Sequence, residues 1–475
     1  MQDPSIFVGE GLPVAFSSIS FLFCFLPLFF IIYYLIPVRA KNVVLLAGSL
    51  FFYAWGEPRW ILLLLASILV TWLLGRAMRP EAGAGRRRGL LILGLVFQLG
   101  LLVAVKYAGF FFGAFIDVPK LHLPLGVSFY TFHAISYLVD VYRQKTPPQK
   151  NLLRLGLYLA LFPKLVMGPI VPYHELEPAL AQRTIDAQDV SDGCFRFTIG
   201  LAKKALLADA LAGLVTGIWG NLASLTVLSA WLGLIGYALQ LYFDFSGYSD
   251  MAIGLGRMLG FRFPENFRYP YLCSSISDFW RRWHISLGSW FKEYLYFPLG
   301  GSRTGTLRTL RNLLLVWLAT GLWHGASWNY VLWGLYFGVL ICLEKLLAPR
   351  FRAHPRKGLL AELYRPVCLL LAVLGWVLFR AEDLPAAGRY FACLFGGAAG
   401  ASAQARLYLH DFWPVLLLGA VGATPLCAKL AGRLGAKLQP GVRAAVQAVL
   451  VLALLACSTV WLLNGSFQSF VYFQF

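Results

Sequence analysis

Two histidines are unusual in this sequence because each lies among apolar and aromatic residues. His324 falls near the middle of an apolar run, residues 313–347, and His284 falls within the segment FWRRWHISL, residues 279–287. An ionisable residue deep in an apolar segment is costly to bury, so it points to function. A neutral imidazole can take a proton from a hydroxyl or thiol near neutral pH, which general-base catalysis requires. His324 is therefore a candidate catalytic residue; the alternative is a packing histidine bonded to a backbone carbonyl.

A second polar cluster lies inside the apolar run 239–259. Its members are Asp244, Ser246, Tyr248 and Asp250. Carboxylates in such a run need partners. They could orient a histidine, bind a polar group of a substrate, or pair with cations, of which the candidates are Arg257, Arg281 and Arg282. We favour a buried ion pair that fixes helix packing.

Residues 277–295 predict one amphipathic helix at a membrane interface. At about 100° per residue, one side carries an aromatic and apolar stripe: Trp280, Trp283, Leu287, Trp290, Phe291 and Tyr294. The other side is polar: Arg281, Arg282, Ser289, Lys292 and Glu293. His284 lies at the edge of the stripe, so its ring can point into the protein while the arginines stay at the level of water or phosphate.

The run that contains His324 is too long for one membrane span, which takes about 20 residues. It predicts a break or hairpin near Gly321, Gly325 and Ser327, where glycine also allows another helix or a substrate to approach the ring. Small-xxx-small spacings, Gly213 with Gly217 and Gly334 with Gly338, predict helix packing.

The composition of the chain indicates that these segments lie in a membrane. The chain has 475 residues, 59% of them hydrophobic and only 13% charged, too little polar surface for soluble domains. Hydropathy predicts roughly ten to twelve spans, for example residues 16–36, 61–78, 90–115, 367–379 with flanks, and 442–463. Long inserts and repeats are absent, so we expect one domain, residues 1–475, in an all-α polytopic membrane fold. Interrupted segments, residues 123–142, 159–173 and 261–311, are expected to line a cavity.

Charge and cysteine usage argue against a nucleic-acid-binding protein, a disulfide-rich protein and a metal site. The net charge of +19 comes from Lys and Arg in short loops between apolar runs, which favours membrane topology over nucleic-acid binding. The first apolar run has no basic residue before it, unlike a cleavable signal peptide, and the arginine-rich third loop predicts an outward N-terminus. Eight scattered cysteines predict neither a disulfide framework nor a metal site. Hydrolase-elbow, zinc-helix and Walker motifs are absent.

Several longer motifs resemble the membrane-bound O-acyltransferases, in particular their bacterial alginate O-acetylation branch and, beyond it, the D-alanine-transfer subunit that acts on teichoic acid. They are YFDFSGYSDMAIG (242–254), DFWRRWHISL (278–287), YLYFPLGG (294–301) and WHGASW (323–328). Further matches are FSSISF (16–21), FFYAW (51–55), LGVSFYTF (125–132) and FPKLVMGP (162–169). The resemblance covers nearly the whole chain.

The resemblance implies helices around a central funnel that joins a cytosolic acyl donor to an acceptor outside, with re-entrant or interfacial helices beside the spans. It implies that His324 is the catalytic histidine and His284 a second required histidine. The supporting or orienting candidates are Asp244, Asp250, Ser246, Asn329 and Trp323, and the donor-binding candidates are Arg281, Arg282 and Lys292.

In that branch the donor would be acetyl-CoA or another acyl thioester, with no tightly bound cofactor or metal. The partner would be an SGNH-like acetyltransferase, periplasmic or membrane-tethered, that completes transfer to a polysaccharide. Broken helices and buried charges also fit a transporter of polysaccharide or lipid-linked sugar. A membrane scaffold that recruits an extracellular transferase, and a relative that acts on peptidoglycan or teichoic acid, are further alternatives.

Overall fold

The computed structural model describes residues 15–113, 123–303, 305–352, 359–465 and 470. Within these residues the regular structure is helical and includes no strand, which confirms the all-α prediction. The chain divides into two compact units. Unit 1 comprises Met1–Leu201, Tyr248–Pro264 and Leu462–Gln474, and unit 2 comprises Ala202–Gly247, Glu265–Trp461 and Phe475.

The helices of unit 1 are mostly short. In chain order they are α1 Leu26–Leu35, α2 Lys41–Gly56, α3 Ile61–Ala77, α4 Ala84–Leu102, α5 Ala108–Phe112, α6 Val127–Tyr142, α7 Leu152–Ala160, α8 Phe162–Leu165, α9 Tyr173–Ala181 and α10 Ala187–Ala202. A π-helical turn, Phe21–Phe25, precedes α1, and another, Val103–Tyr107, joins α4 to α5.

The core of unit 1 is built around α6, which is buried along almost its whole length. Helices α3 and α4 pack on it, together with α7 and α9. Gly126 starts α6 in a left-handed conformation, φ 75°, and a Cβ there would lie 2.6 Å from the carbonyl oxygen of Leu165. Only glycine tolerates both conditions. The predicted interrupted segment 123–142 is thus covered by protein.

The remaining helices belong wholly or mainly to unit 2. They are α11 Asp209–Trp219, α12 Val227–Met258, α13 Ile276–Arg282, α14 Ile285–Phe291, α15 Thr306–His324, α16 Trp328–Arg352, α17 Leu359–Arg380, α18 Leu384–Leu394, α19 Ala403–Gly422, α20 Leu426–Gly435 and α21 Pro440–Asn464. Helix α12 contributes its residues up to Gly247 to unit 2 and those from Tyr248 onward to unit 1.

Helices α15 and α16 form the hairpin that the sequence predicts around His324. Their closest approach uses two glycines: a Cβ on Gly321 would lie 2.3 Å from the Tyr330 carbonyl oxygen, and one on Gly334 would lie 2.4 Å from that of Trp317. Backbones this close exclude larger residues. The packing role predicted for the small-residue spacings is confirmed here, and also at Gly217, where a Cβ would meet the Tyr408 ring at 2.6 Å.

Helix length and apolar surface fit a chain that crosses a membrane several times. Among the described residues, five helical stretches are long and apolar enough to span: Ala84–Phe112, Val227–Met258, Trp328–Leu347, Glu362–Arg380 and Pro440–Asn464. The pair Ala403–Gly422 and Leu426–Gly435, bent by 66°, raises the number to six if it forms one span, and Phe21–Leu35 and Ile61–Ala77 are shorter apolar helices. The higher count of ten to twelve stays a prediction.

Candidate active site

His324 is the last residue of α15, immediately before the turn into α16. Its side chain is 3% exposed. Three aromatic rings surround the imidazole, with centroid distances of 4.8 Å to Trp323, 4.9 Å to Trp333 and 5.2 Å to Phe379. The helix end exists because Gly325 adopts extended backbone, and a Cβ on Gly325 would collide with the Tyr330 ring at 2.2 Å. The predicted chain break thus lies directly after the histidine.

His284 lies at a second chain break, between α13 and α14. Its backbone is left-handed, with φ 46° and ψ 54°, a conformation that costs a non-glycine residue roughly 1–2 kcal/mol. The prediction of one continuous helix over residues 277–295 is therefore wrong. The predicted amphipathic faces are kept: Trp283 and Leu287 are buried, whereas Arg281 and Lys292 are exposed.

Asn266 holds this break in place. The Ile285 amide donates to the Asn266 backbone carbonyl oxygen at 3.0 Å, and the Ser286 amide donates to the Asn266 side-chain oxygen Oδ1 at 3.1 Å. The Ser286 hydroxyl donates to the same Oδ1 at 2.9 Å. Asn266 is fully buried. These bonds compensate the strained conformation of His284, since a strained residue persists only where its surroundings fix it.

The same amide orients the His284 ring. Its Nδ1 lies 3.2 Å from Asn266 Oδ1. A backbone amide can only donate, so the bond from Ser286 identifies that atom as the acceptor oxygen, and Nδ1 must carry the proton. The lone pair then resides on Nε2. His284 is 2% exposed and lies outside the candidate spans. Burial lowers the pKa of this imidazole to about 3, so the ring is neutral at pH 7.

Trp323 lies within aromatic-contact distance of both histidines. Its ring centroid is 6.2 Å from that of His284 and 4.8 Å from that of His324. His284 also meets the Phe245 ring edge to face at 4.6 Å. Distances of about 4.5–7 Å are those of interacting aromatic pairs. The structure therefore brings the two predicted histidines to the same aromatic cluster, with one indole linking them.

A cavity of about 270 Å³ opens beside His284. Its walls come from α13, α14, the π-helical turn Lys292–Tyr296 and α15: Trp280, Trp283, His284, Leu287, Gly288, Phe291, Lys292, Tyr296, Leu313, Val316, Trp317 and Thr320. The lining is mainly apolar with a few polar groups, as is usual for small-molecule sites. The cavity predicted along residues 261–311 is confirmed for the part between Trp280 and Tyr296.

The two carboxylates of α12 are both in ion pairs. Lys204 Nζ lies 2.7 Å from Asp244 Oδ1 and 2.8 Å from Asp209 Oδ1, and all three side chains are buried. Asp250 pairs with Arg196 at 2.6 Å. The predicted buried ion pair is confirmed. The predicted cations are wrong: Arg257 pairs instead with Asp189 and Asp192, and Arg282 with Asp278.

Residues 50–362 match the membrane-bound O-acyltransferase family, MBOAT. The chain belongs to this family. It is 43% identical over 396 residues to a Pseudomonas aeruginosa protein described as a probable alginate O-acetylase, a match that covers 80% of this chain and 75% of the relative. An Azotobacter vinelandii protein of the same description is 43% identical over 397 residues, covering 80% and 78%. A peptidoglycan O-acetyltransferase of Helicobacter pylori is 35% identical over 415 residues, covering 78% of each chain.

As a member of the membrane-bound O-acyltransferase family, this multi-pass protein is an acyltransferase. The predicted donor-binding residues are separated in its structure. Lys292 lines the cavity, while Arg281 and Arg282 are not among the described residues that line it. Arg282 Nε instead donates to Asp278 at 3.0 Å.

Two other supporting candidates of this O-acyltransferase, Asn329 and Ser246, are not in ion pairs among the described residues. Asn329 Nδ2 donates to the Ala381 carbonyl oxygen at 2.7 Å, which ties the start of α16 to the end of α17. Ser246 is buried, 1% exposed, next to Phe245, whose ring meets His284.

Three residues that hold the site in position, Asn266, Lys204 and Glu344, were not predicted from the sequence. Asn266 and Lys204 act on His284 and Asp244 from distant parts of the chain. Glu344 of α16 accepts the amides of Ile276 and Ser277 at 2.6 and 2.8 Å and the Tyr364 hydroxyl at 2.7 Å. It therefore caps the N-terminus of α13, the helix that leads to His284. The sequence did carry a signal for Glu344: a glutamate lies within an apolar span, where its charge is costly to bury and therefore needs a partner.

Proposed function

We propose that this O-acyltransferase takes an acetyl group from a cytosolic thioester, acetyl-CoA, and passes it across the membrane for O-acetylation of an extracellular polysaccharide. Alginate is the proposed acceptor. The observation that carries this proposal is the 43% identity, over 80% of the chain, to a protein described as a probable alginate O-acetylase. We also propose that both units form one acyltransferase domain, since the family match over residues 50–362 runs through both.

The proposed reaction is transfer of an acyl group from sulfur to oxygen. His324 takes the proton of the acceptor hydroxyl, whose oxygen attacks the thioester carbonyl carbon. A carbon–oxygen bond forms, the carbon–sulfur bond breaks, and the proton passes to the leaving thiolate. The products are an ester and a free thiol, so His324 returns to its neutral form. Its aromatic surroundings exclude water that would otherwise hydrolyse the thioester.

His284 and Lys292 are proposed to receive the donor. The acyl end of the thioester would occupy the 270 Å³ cavity, where the neutral His284 ring introduces no charge. Lys292, which lines the cavity and is exposed, would meet the donor phosphates, and the exposed Arg281 and the partly exposed Arg282 would add positive charge. Asp244, Asp250, Ser246, Asn329 and Trp323 are proposed to hold the surrounding helices and rings in place.

We further propose a location and a partner. The protein would lie in the bacterial inner membrane with its N-terminus outside, and an SGNH-like acetyltransferase, periplasmic or membrane-tethered, would accept the acetyl group and complete transfer to the polymer. Peptidoglycan is the second candidate acceptor, because a Helicobacter pylori peptidoglycan O-acetyltransferase is 35% identical over 78% of this chain.

A labelling experiment tests the proposal. The purified chain, reconstituted in liposomes with its partner, is given [14C]acetyl-CoA together with either alginate or peptidoglycan fragments. We expect label on alginate and release of free CoA. Label on peptidoglycan alone would overturn the choice of acceptor. Movement of a polysaccharide without any CoA release would overturn enzyme function in favour of a transporter, and acetylation that needs only the partner would favour a scaffold.

A further inference from the structure

A basic hollow lies in unit 1, between the end of α3 and the start of α4. Its volume is about 630 Å³. The lining residues are Trp72, Leu73, Arg76, Ala77, Arg79, Glu81, Ala82 and Arg86. Three guanidinium groups and one carboxylate give the hollow a net positive charge. None of the ion pairs formed between described residues includes one of these arginines.

Arg76 is held toward this hollow by its neighbours. Its guanidinium lies over the Trp72 ring, 5.2 Å from the centroid, and its Nη1 is 3.4 Å from the Lys150 carbonyl oxygen. Stacking on an aromatic ring leaves the edge of a guanidinium group available for hydrogen bonds. Arg79 and Arg86 are exposed at the same hollow. Arginine is the side chain best suited to bind phosphate, since its planar fork donates two parallel hydrogen bonds.

The surroundings of the hollow are those of a membrane boundary. Arg76 lies in the last turn of α3, and Arg86 in the first turn of α4, which continues as the apolar stretch Ala84–Phe112. Over an apolar part of that stretch, 18 residues long, only 17% is buried. Leu69 and Leu73 of α3 are 45% and 50% exposed, so apolar surface leads directly away from the arginines.

We propose that this hollow binds an anionic glycerophospholipid, with its phosphate between Arg76, Arg79 and Arg86 and an acyl chain along the exposed leucines of α3. A soluble phosphate compound would use the arginines but not the apolar surface beside them. The lipid interpretation therefore accounts for both features. No described residue lines both this hollow and the cavity beside His284, and the lipid proposal does not depend on the proposed acyl transfer.

Native mass spectrometry of the full chain tests the proposal. Protein in detergent is mixed with phosphatidylglycerol or with phosphatidylcholine of the same chain length. We expect one preferentially retained phosphatidylglycerol, bound at least tenfold more tightly than phosphatidylcholine. The variant Arg76→Gln/Arg79→Gln/Arg86→Gln should lose this preference. The control Arg406→Gln/Arg433→Gln/Arg443→Gln removes the same charge at exposed arginines elsewhere and should keep it.

Two results would overturn the lipid site. One is equal retention of the two lipids, or an unchanged preference in the variant. The other is displacement of phosphatidylglycerol by CoA at equimolar concentration, which would assign the arginines to the phosphates of a soluble donor. If the triple variant fails to fold, the measurement is repeated with the single variant Arg79→Gln, which changes an exposed loop position. This variant should weaken phosphatidylglycerol binding severalfold.

Discussion

The indole ring of Trp323 faces the imidazole ring of His284 at an angle of 60°, with ring centroids 6.2 Å apart. Trp323 directly precedes His324, the last residue of α15, whereas His284 lies at the break between α13 and α14. One aromatic side chain thus contacts both histidines from separate helices. A change in its size or position is transmitted to two proposed functional residues.

The size of Trp323 is therefore expected to matter more than its indole nitrogen. Trp323→Phe should keep most acyl transfer, while Trp323→Ala should lower it at least tenfold, because the cavity left behind removes a packing contact of both imidazole rings. Trp328→Ala, in the same hairpin but 64% exposed, is the matched control. Initial rates of CoA release measure the effect; equal rates for Trp323→Ala and Trp328→Ala would contradict it.

Removal of one hydroxyl from α14 tests the role of Asn266. Ser286 is buried and donates to Asn266 Oδ1, whereas Ser289 on the same helix is exposed. We expect Ser286→Ala to lower kcat severalfold, and Asn266→Ala to lower it further, because the His284 ring loses its orientation. Ser289→Ala should leave kcat unchanged. A loss of thermal stability in Ser286→Ala at unchanged kcat would show that the bond serves folding alone.

The Lys204 cluster makes a prediction about stability. Lys204→Met leaves the carboxylates of Asp209 and Asp244 buried without their cation, which is expected to cost about 3–5 kcal/mol. Adding Asp209→Asn and Asp244→Asn to this variant should restore much of the loss. Thermal unfolding in detergent measures the change, and Lys429→Met, at an exposed position, is the control. A Lys204→Met protein as stable as the parent would contradict a structural ion pair.

Two glycine-to-alanine substitutions, one in the α15–α16 hairpin and one in α18, are expected to change stability in opposite directions. Gly334→Ala places a Cβ 2.4 Å from the Trp317 carbonyl oxygen and should destabilise the protein by roughly 1–3 kcal/mol. Gly388→Ala, inside α18, has no atom within 4 Å of the new Cβ and should stabilise by up to about 1 kcal/mol through helix propensity. The thermal midpoints of the two variants should move in opposite directions; a shared direction would refute the close approach.

The sequence alone predicts those features that depend on neighbouring residues. The apolar helices, the break after His324 and the buried aromatic face that follows Trp280 are local patterns of composition and period. The break at His284 is not local, because Asn266 fixes it from 18 residues away. Likewise the cation for Asp244 comes from Lys204, 40 residues earlier, although nearer arginines were available. Which charges meet depends on how the helices pack, and a single sequence does not contain that information.

The most direct test of catalysis is the rate of acetyl transfer by His324→Ala. With [14C]acetyl-CoA, the partner and alginate present, we expect transfer to fall at least 100-fold, as is usual when a general base is removed, while the thermal midpoint stays close to that of the parent. His410→Ala, a histidine whose side chain is 83% exposed, should transfer label at the parental rate. Transfer by His324→Ala at that same rate would contradict the assignment of His324 as the catalytic base.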